Sequence, residues 1–246
     1  TPLSVSYTVS GSKTYDGTTD AGTISSVATT GTLTSGKELR GTATAVLSSK
    51  NAGTVTATGT GLYSEQQGYL ITASTTGPGT VTITPKALSA NLAAQTKTYD
   101  GNTTATLASG AITASGFAPG EGASVTQTSG TYNNKNVEGA NSVTATLTSS
   151  HFIFNNGVLA SNYALPTSVI GIGSITPKAL SATASASNKV YDGNTSAAAT
   201  LAITAGLVGQ ETVTATGAAT FNSKDVKGAN LVTVNSTALA NGDNGG

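Results

Sequence analysis

The sequence predicts an all-β protein: a tandem array of three β-sandwich-like modules, immunoglobulin-like or related, set end to end. Three observations carry that expectation. One unit recurs three times along the 246 residues, its apolar positions alternate with hydroxyl residues, and its composition is poor in helix-forming and aromatic side chains. Only 37% of positions are hydrophobic and 5% aromatic, so a core must be built mainly from Val, Leu, Ile and Ala beside abundant Thr, Ser and Gly, a mixture that favours strands.

The repeat is read from three landmarks. Lys13-Thr14-Tyr15-Asp16-Gly17-Thr18-Thr19 returns as Lys97-Thr98-Tyr99-Asp100-Gly101-Asn102-Thr103 and as Lys189-Val190-Tyr191-Asp192-Gly193-Asn194-Thr195. Ile83-Thr84-Pro85-Lys86-Ala87-Leu88-Ser89-Ala90 returns as Ile175-Thr176-Pro177-Lys178-Ala179-Leu180-Ser181-Ala182, with Thr1-Pro2-Leu3-Ser4 as a shortened form. Lys135-Asn136-Val137-Glu138-Gly139-Ala140-Asn141 matches Lys224-Asp225-Val226-Lys227-Gly228-Ala229-Asn230, and Lys50-Asn51-Ala52-Gly53 is the trimmed copy. These landmarks place repeat 1 at 1–85, repeat 2 at 86–177 and repeat 3 at 178–246.

Within a repeat the period is two. Thr54-Val55-Thr56-Ala57-Thr58, Ser142-Val143-Thr144-Ala145-Thr146-Leu147 and Glu211-Thr212-Val213-Thr214-Ala215-Thr216 alternate in the manner of half-buried strands. Turn signals such as Asn156-Gly157 and Gly77-Pro78-Gly79 divide them at the short spacing of an antiparallel sandwich. The Ala-rich stretches at 182–187 and 196–199 are weakened as helices by their Ser and Thr.

Composition also excludes functions. Eleven basic against eleven acidic residues give zero net charge, which argues against nucleic-acid binding. Cys, Met and Trp are absent and there is one His, which removes thiolate chemistry, disulfides, Cys/His metal sites and most histidine acid–base catalysis. The acidic residues are spread without a clustered pair of the kind a glycosidase needs. The chain is therefore read as no enzyme, with no catalytic residue, no cofactor and no metal. No run of 18 apolar residues offers a membrane span, and Thr1-Pro2-Leu3-Ser4-Val5 lacks the order of a signal peptide, so the chain reads as a segment of a longer one. Low charge with Thr, Ser, Gly and Asn for solubility suits an extracellular address.

The Asp-Gly pairs at 16–17, 100–101 and 192–193 are expected to form tight type I′ hairpin turns. The preceding Tyr15, Tyr99 and Tyr191 would be equivalent buried anchors, each capping a core with its ring. A calcium role for Asp16, Asp100 and Asp192 lacks the further oxygen ligands such an ion requires. Pro85 and Pro177 remove a ladder donor and hold the preceding Thr extended, so a strand can run almost directly from one repeat into the next. With no flexible linker at these joints, three repeats of roughly 30 to 40 Å each would make a rod near 100 Å.

Other signals are weaker. His151 has no ligating neighbours in the sequence, and Phe152, Phe154 and Tyr163 read as a core face before they read as a sugar-stacking platform. Asn102, Asn194 and Asn235 open N-x-[ST] triplets, which arise by chance in so Thr-rich a chain. The Thr runs are too scattered for a flat crystal-binding face. A Lys to Asn cross-link would need a buried Lys, an Asn and a carboxylate together, which the spacing gives no ground to place.

Repeated K-x-Y-D-G-[TN]-T followed by I-T-P-K-A-L resembles the YDG-type repeats, related to the MBG repeats, of large secreted bacterial adhesins similar to filamentous haemagglutinin and other two-partner-secretion exoproteins. The resemblance covers nearly the whole chain. It implies a bacterial cell-surface or exported location, no catalysis, and a stalk or spacer role in adhesion and biofilm, with host or matrix glycans or proteins met by other parts of the full protein. The motif residues are then structural: Tyr15, Asp16, Gly17, Tyr99, Asp100, Gly101, Tyr191, Asp192, Gly193, Pro85 and Pro177. The alternative function is a set of carbohydrate-binding modules.

Repeat 3 stands apart. Tyr99 lies 78 residues before Pro177 and Tyr15 lies 70 before Pro85, but 55 separate Tyr191 from Gly246. The missing stretch corresponds to about Asn162 through Ile175, the closing strands. Repeat 3 is therefore expected to be the least stable, with an open edge that frays after about Thr233 or takes a strand from a neighbouring chain.

Overall fold

The computed structural model describes residues 4–8, 10–21, 26–30, 40–63, 79–155 and 157–242. Among them the fold is all-β: strands are joined by turns and by two short 3₁₀ turns, Ser149–His151 and Ala160–Asn162, with no α-helix. Gly77 and Pro78, part of an expected turn, lie outside the described residues, as does Asn156. The Ala-rich stretches that weakly suggested helix are extended: Ser181–Ala186 pairs antiparallel with Ala199–Ala205.

The alternation in the sequence becomes the two faces of the sheets. Along Gly79–Thr84 the side chains of Val81 and Ile83 are buried while Thr80, Thr82 and Thr84 face solvent. Ser142–Thr146 likewise buries Val143 and Ala145.

Contacts gather the chain into two compact units. The first is Thr1–Ala93 with Thr106–Gly130 and Thr144–Gly171; the second is Ala94–Ala105 with Thr131–Val143 and Ile172–Gly246. Repeat 2 thus contributes to both.

In the first unit a four-stranded sheet runs in the order Ser10–Thr14, Gly79–Thr84, Gly53–Tyr63, Arg40–Leu47. Its first pair is parallel and the others antiparallel. Strand Gly79–Thr84 passes through Pro85 into strand Lys86–Ala87, so one prolyl residue separates repeat 1 from repeat 2. Lys86–Ala87 pairs in parallel with Tyr163–Ala164. Two antiparallel pairs of repeat 2 also lie here, Ser89–Leu92 with Ile112–Ser115 and Ala123–Val125 with Phe152–Phe154. The core gathers Tyr15, Ala45, Leu47, Ala57, Val81 and Ile83 from repeat 1 with Leu88, Ala118 and Tyr163 from repeat 2.

In the second unit Gln95–Thr98 pairs in parallel with Gly173–Thr176. Repeat 3 supplies the pair of Ser181–Ala186 with Ala199–Ala205, a three-stranded sheet of Ser196–Ala197, Ala219–Phe221 and Val232–Val234, and the pair Val213–Thr216 with Ala238–Asn241. These last strands stay paired beyond Thr233. The stretch without strand partners in repeat 3 is instead 187–190, the counterpart of Gln95–Thr98, whose mate in repeat 2 is the closing strand.

The Asp-Gly turns differ from the hairpins expected. The strand Ser10–Thr14 entering Tyr15-Asp16-Gly17 lies at one edge of its sheet, and the chain leaves the turn to bridge Asp20 with Val46 at the opposite edge. Only the glycines take positive φ, at 82°, 78° and 79° for Gly17, Gly101 and Gly193, whereas a type I′ turn needs two such residues. The turn is set by the aspartate: Asp16 Oδ1 accepts from the Thr18 N–H and hydroxyl, at 3.0 and 2.9 Å.

Candidate functional site

The Lys-x-Tyr-Asp-Gly motif builds the same local structure three times. Asp16, Asp100 and Asp192 each accept the backbone N–H two residues on. Each also pairs with the lysine three residues before it, Lys13, Lys97 and Lys189, at 2.8, 2.6 and 2.8 Å. The same ammonium reaches backbone carbonyls beyond the turn, those of Asp20, Asn102 with Thr104, and Asn194. In the second unit the lysines also lie over rings, Lys97 over Tyr132 and Lys189 over Phe221. The lysine ammonium and the bonds to backbone hold Asp100 and Asp192 below the ordinary carboxylate range. For Asp16 burial works upward, and the bonds from Lys13 and Thr18 outweigh it.

This geometry brings together the residue types of a Lys–Asn cross-link, which sequence spacing gave no reason to expect. Lys97 Nζ stands 3.1 Å from Asn102 Oδ1 and Lys189 Nζ 2.8 Å from Asn194 Oδ1. The same Nζ atoms are held in ion pairs, by Asp100 at 2.6 Å and by Asp192 at 2.8 Å. Ion-paired turns are the result, and Asn102 and Asn194 also accept the N–H groups of Thr104 and Ser196.

Tyr15 and Tyr99 reach outward from these turns into the following repeat. In the first unit the Tyr15 hydroxyl donates to Glu121 Oε1 at 2.6 Å. Glu121 Oε2 accepts from Tyr163 at 2.6 Å, and Lys50 lies 3.5 Å from Oε1. Tyr163 is fixed in turn by the Ala118 N–H, which donates to its hydroxyl at 2.9 Å, and by edge contacts to the rings of Tyr15 and Phe117. Phe154 stacks on it at 5.8 Å. Asn162, almost fully buried, accepts the Ala52 N–H at 2.8 Å and donates to Asn51 Oδ1 at 3.1 Å. Phe152 and Tyr163 are thus buried, and Phe154 is half-buried and packed against the core, instead of the three forming a surface platform.

Burial works to raise the Glu121 carboxyl, but the Tyr15 and Tyr163 hydroxyls and the Lys50 ammonium hold it below the usual glutamate value. Burial and the bond to Glu121 push both tyrosines up. The result is a carboxylate clamped by two phenols.

In the second unit Tyr99 donates to Glu211 in the same way. Glu121 and Glu211 occupy equivalent turns, for their N–H groups donate to Ala118 O and Val208 O respectively, each at 3.0 Å. The motif glycine is part of the contact: a Cβ on Gly17 would lie 3.4 Å from Ala118 Cβ, and one on Gly101 3.0 Å from Val208 Cγ1. A Cβ on Gly193 would meet nothing within 4 Å.

The three tyrosines are therefore not equivalent. Tyr15 is 1% exposed, Tyr99 is half-buried and Tyr191 is 58% exposed. Pro85 and Pro177 both sit where one repeat meets the next, and Pro177 also lines a cavity of the second unit. His151 is local: its Nδ1 accepts the Thr148 N–H at 3.1 Å. Glu121 and Glu211 were not singled out by the sequence, although both follow a glycine turn at nearly the same distance from Leu88 and Leu180.

The model of the YDG domain matches residues 84–170 and again 176–246, more than half of the chain. The chain belongs to the YDG domain family. Searches among curated proteins and among solved structures found no match. The Tyr-Asp-Gly triplets belonging to the two YDG matches are those of Tyr99 and Tyr191, while Tyr15 brings a third copy of the motif before them.

Proposed function

We propose that this YDG array is a non-catalytic, extended spacer of a bacterial cell-surface adhesin, exported from the cell and supporting adhesion or biofilm formation. The observation that carries this reading is the use of the most distinctive side chain of the motif. The tyrosine of one repeat is committed to a glutamate of the next, at Tyr15–Glu121 and Tyr99–Glu211. A motif whose Lys, Tyr, Asp and Gly serve turns and joints stiffens an array and leaves binding to other parts of the full protein. The direct passage from Thr84 through Pro85 into Lys86 supports the same role, because no flexible linker separates the repeats there.

The test uses the purified chain on an array of host and matrix glycans, together with small-angle scattering. A spacer leaves the array blank and gives a maximum dimension near 100 Å, as three repeats of roughly 30 to 40 Å require. Specific glycan binding would favour the carbohydrate-binding alternative. A radius of gyration near the roughly 18 Å of a compact chain of this length would contradict an extended spacer.

A further inference from the structure

The second unit contains a cavity of about 720 Å³, lined by Tyr99, Asn136, Val137, Leu180, Val208 and Glu211 among others. Every one of these has a counterpart in the first unit: Tyr15, Asn51, Ala52, Leu88, Ala118 and Glu121. There the space between them is filled by Asn162, Tyr163 and Ala164. In that unit Glu121 Oε2 accepts from Tyr163, the Ala118 N–H donates to Tyr163, and the Leu88 N–H donates to Ala164 O. The Ala52 N–H donates to Asn162, which donates to Asn51 Oδ1.

In the second unit the corresponding groups are Glu211 Oε2, the N–H groups of Val208, Leu180 and Val137, and Asn136 Oδ1. None of them has a hydrogen-bond partner among the described residues. Strand Lys86–Ala87 exists because Tyr163–Ala164 pairs with it. Its counterpart, Lys178-Ala179, is in no strand. Gly116 and Gly206 mark the same approach: both have positive φ, and a Cβ would lie 3.1 Å from Ala87 O in one and 2.4 Å from Ala179 O in the other. The cradle is present in both places, and in the second no described residue occupies the position that Asn162, Tyr163 and Ala164 hold in the first.

We infer that this cavity is the acceptor for an extended segment of a partner polypeptide, one that carries an Asn-Tyr pair followed by a small residue. The tyrosine hydroxyl takes Glu211 and the Val208 N–H, the asparagine takes Val137 and Asn136, and the backbone adds a parallel strand to Lys178-Ala179. The cavity is of the size that peptide-like ligands fill. The occupant is not a second copy of the chain, because the Asn162-Tyr163 segment of each copy already fills its own first unit. The inference does not rest on the spacer reading, which holds whether or not the cavity is filled.

The test titrates the ¹⁵N-labelled chain with a synthetic octapeptide of the sequence of residues 159–166. Saturable amide shifts confined to Tyr99, Val137, Leu180, Val208 and Glu211 are expected. Binding should weaken roughly tenfold when the peptide tyrosine is replaced by phenylalanine, the effect of losing one hydrogen bond to a carboxylate. E211Q in the chain should weaken it similarly. A second measurement decides the matter if the free peptide is too weak to saturate: the chain extended after Gly242 by a copy of residues 155–176 should slow hydrogen exchange at the Val137, Leu180 and Val208 amides. Unchanged exchange in the extended chain overturns the proposal. So does concentration-dependent dimerisation that protects the same amides without any added segment.

Discussion

The Tyr15 hydroxyl lies 2.6 Å from the Glu121 carboxylate, although 106 residues and a repeat boundary separate them. The Tyr99–Glu211 bond repeats the relationship 112 residues apart. The Tyr-Asp-Gly motif therefore does two jobs. Its aspartate and lysine close a local turn, and its tyrosine closes the contact with the next repeat.

The first consequence concerns the rank of the three tyrosines. Tyr15→Ala should cost about 3 to 5 kcal/mol, the range for a buried aromatic. Tyr191→Ala, at an exposed ring, should stay within about 0.5 kcal/mol, with Tyr99→Ala in between. Chemical denaturation of the three variants checks the order. Equal losses would mean that the motif acts only within its own turn.

Stability should also fall toward acid. Glu121 has a depressed folded-state pKa, so its contribution is present above the ordinary glutamate value and is lost as pH falls through the lower, folded value. Tyr15 and Tyr163 are raised, so their contribution is present below the ordinary tyrosine value and is lost as pH rises beyond it. Thermal melts of the wild-type chain should be flat between these limits. E121Q should lose most of the acid dependence arising from this site, and an unaltered acid limb in that variant would contradict the clamp.

Much of the fold was legible because alternation reports burial directly. Val81 and Ile83 are buried and their threonine neighbours exposed, as period two requires. The turn chemistry is not legible locally, because Asp-Gly is also a hairpin signal, and only the long-range pairing of Ser10–Thr14 with Gly79–Thr84 shows that the chain crosses to the far sheet edge. Glu121 was missed because a lone glutamate in a glycine turn carries no local sign of a partner in the preceding repeat. In repeat 3 the alternation of Glu211–Thr216 marks a strand, but nothing local in it names Ala238–Asn241 as the partner of Val213–Thr216.

Gly206 provides a backbone test. Its φ of 102°, and the 2.4 Å that would separate an added Cβ from Ala179 O, leave no room for a side chain. Gly206→Ala should destabilise the second unit by more than about 1 kcal/mol through strain and displacement. Hydrogen exchange of residues 172–242 should report it. Unchanged protection would show that the loop moves freely away from Ala179.

The lysine of the motif should matter more than a surface charge does. Lys97 has a side chain only 17% exposed and binds Asp100, the Asn102 and Thr104 carbonyls and the Tyr132 ring. Lys97→Met should cost about 1 to 3 kcal/mol, because carbonyls and a carboxylate lose their donor. A loss under about 0.5 kcal/mol, as for exposed ion pairs, would reduce the turn to a surface feature.

The most direct test of the joint is a double-mutant cycle between Tyr15→Phe and Glu121→Gln, read by equilibrium denaturation. Each single change keeps the packing and alters one partner of the bond. The double variant should be less destabilised than the sum of the singles by at least about 1 kcal/mol, as for residues in one hydrogen-bonded network. Strict additivity would show that Tyr15 and Glu121 act independently, and that the motif tyrosine does not bind one repeat to the next.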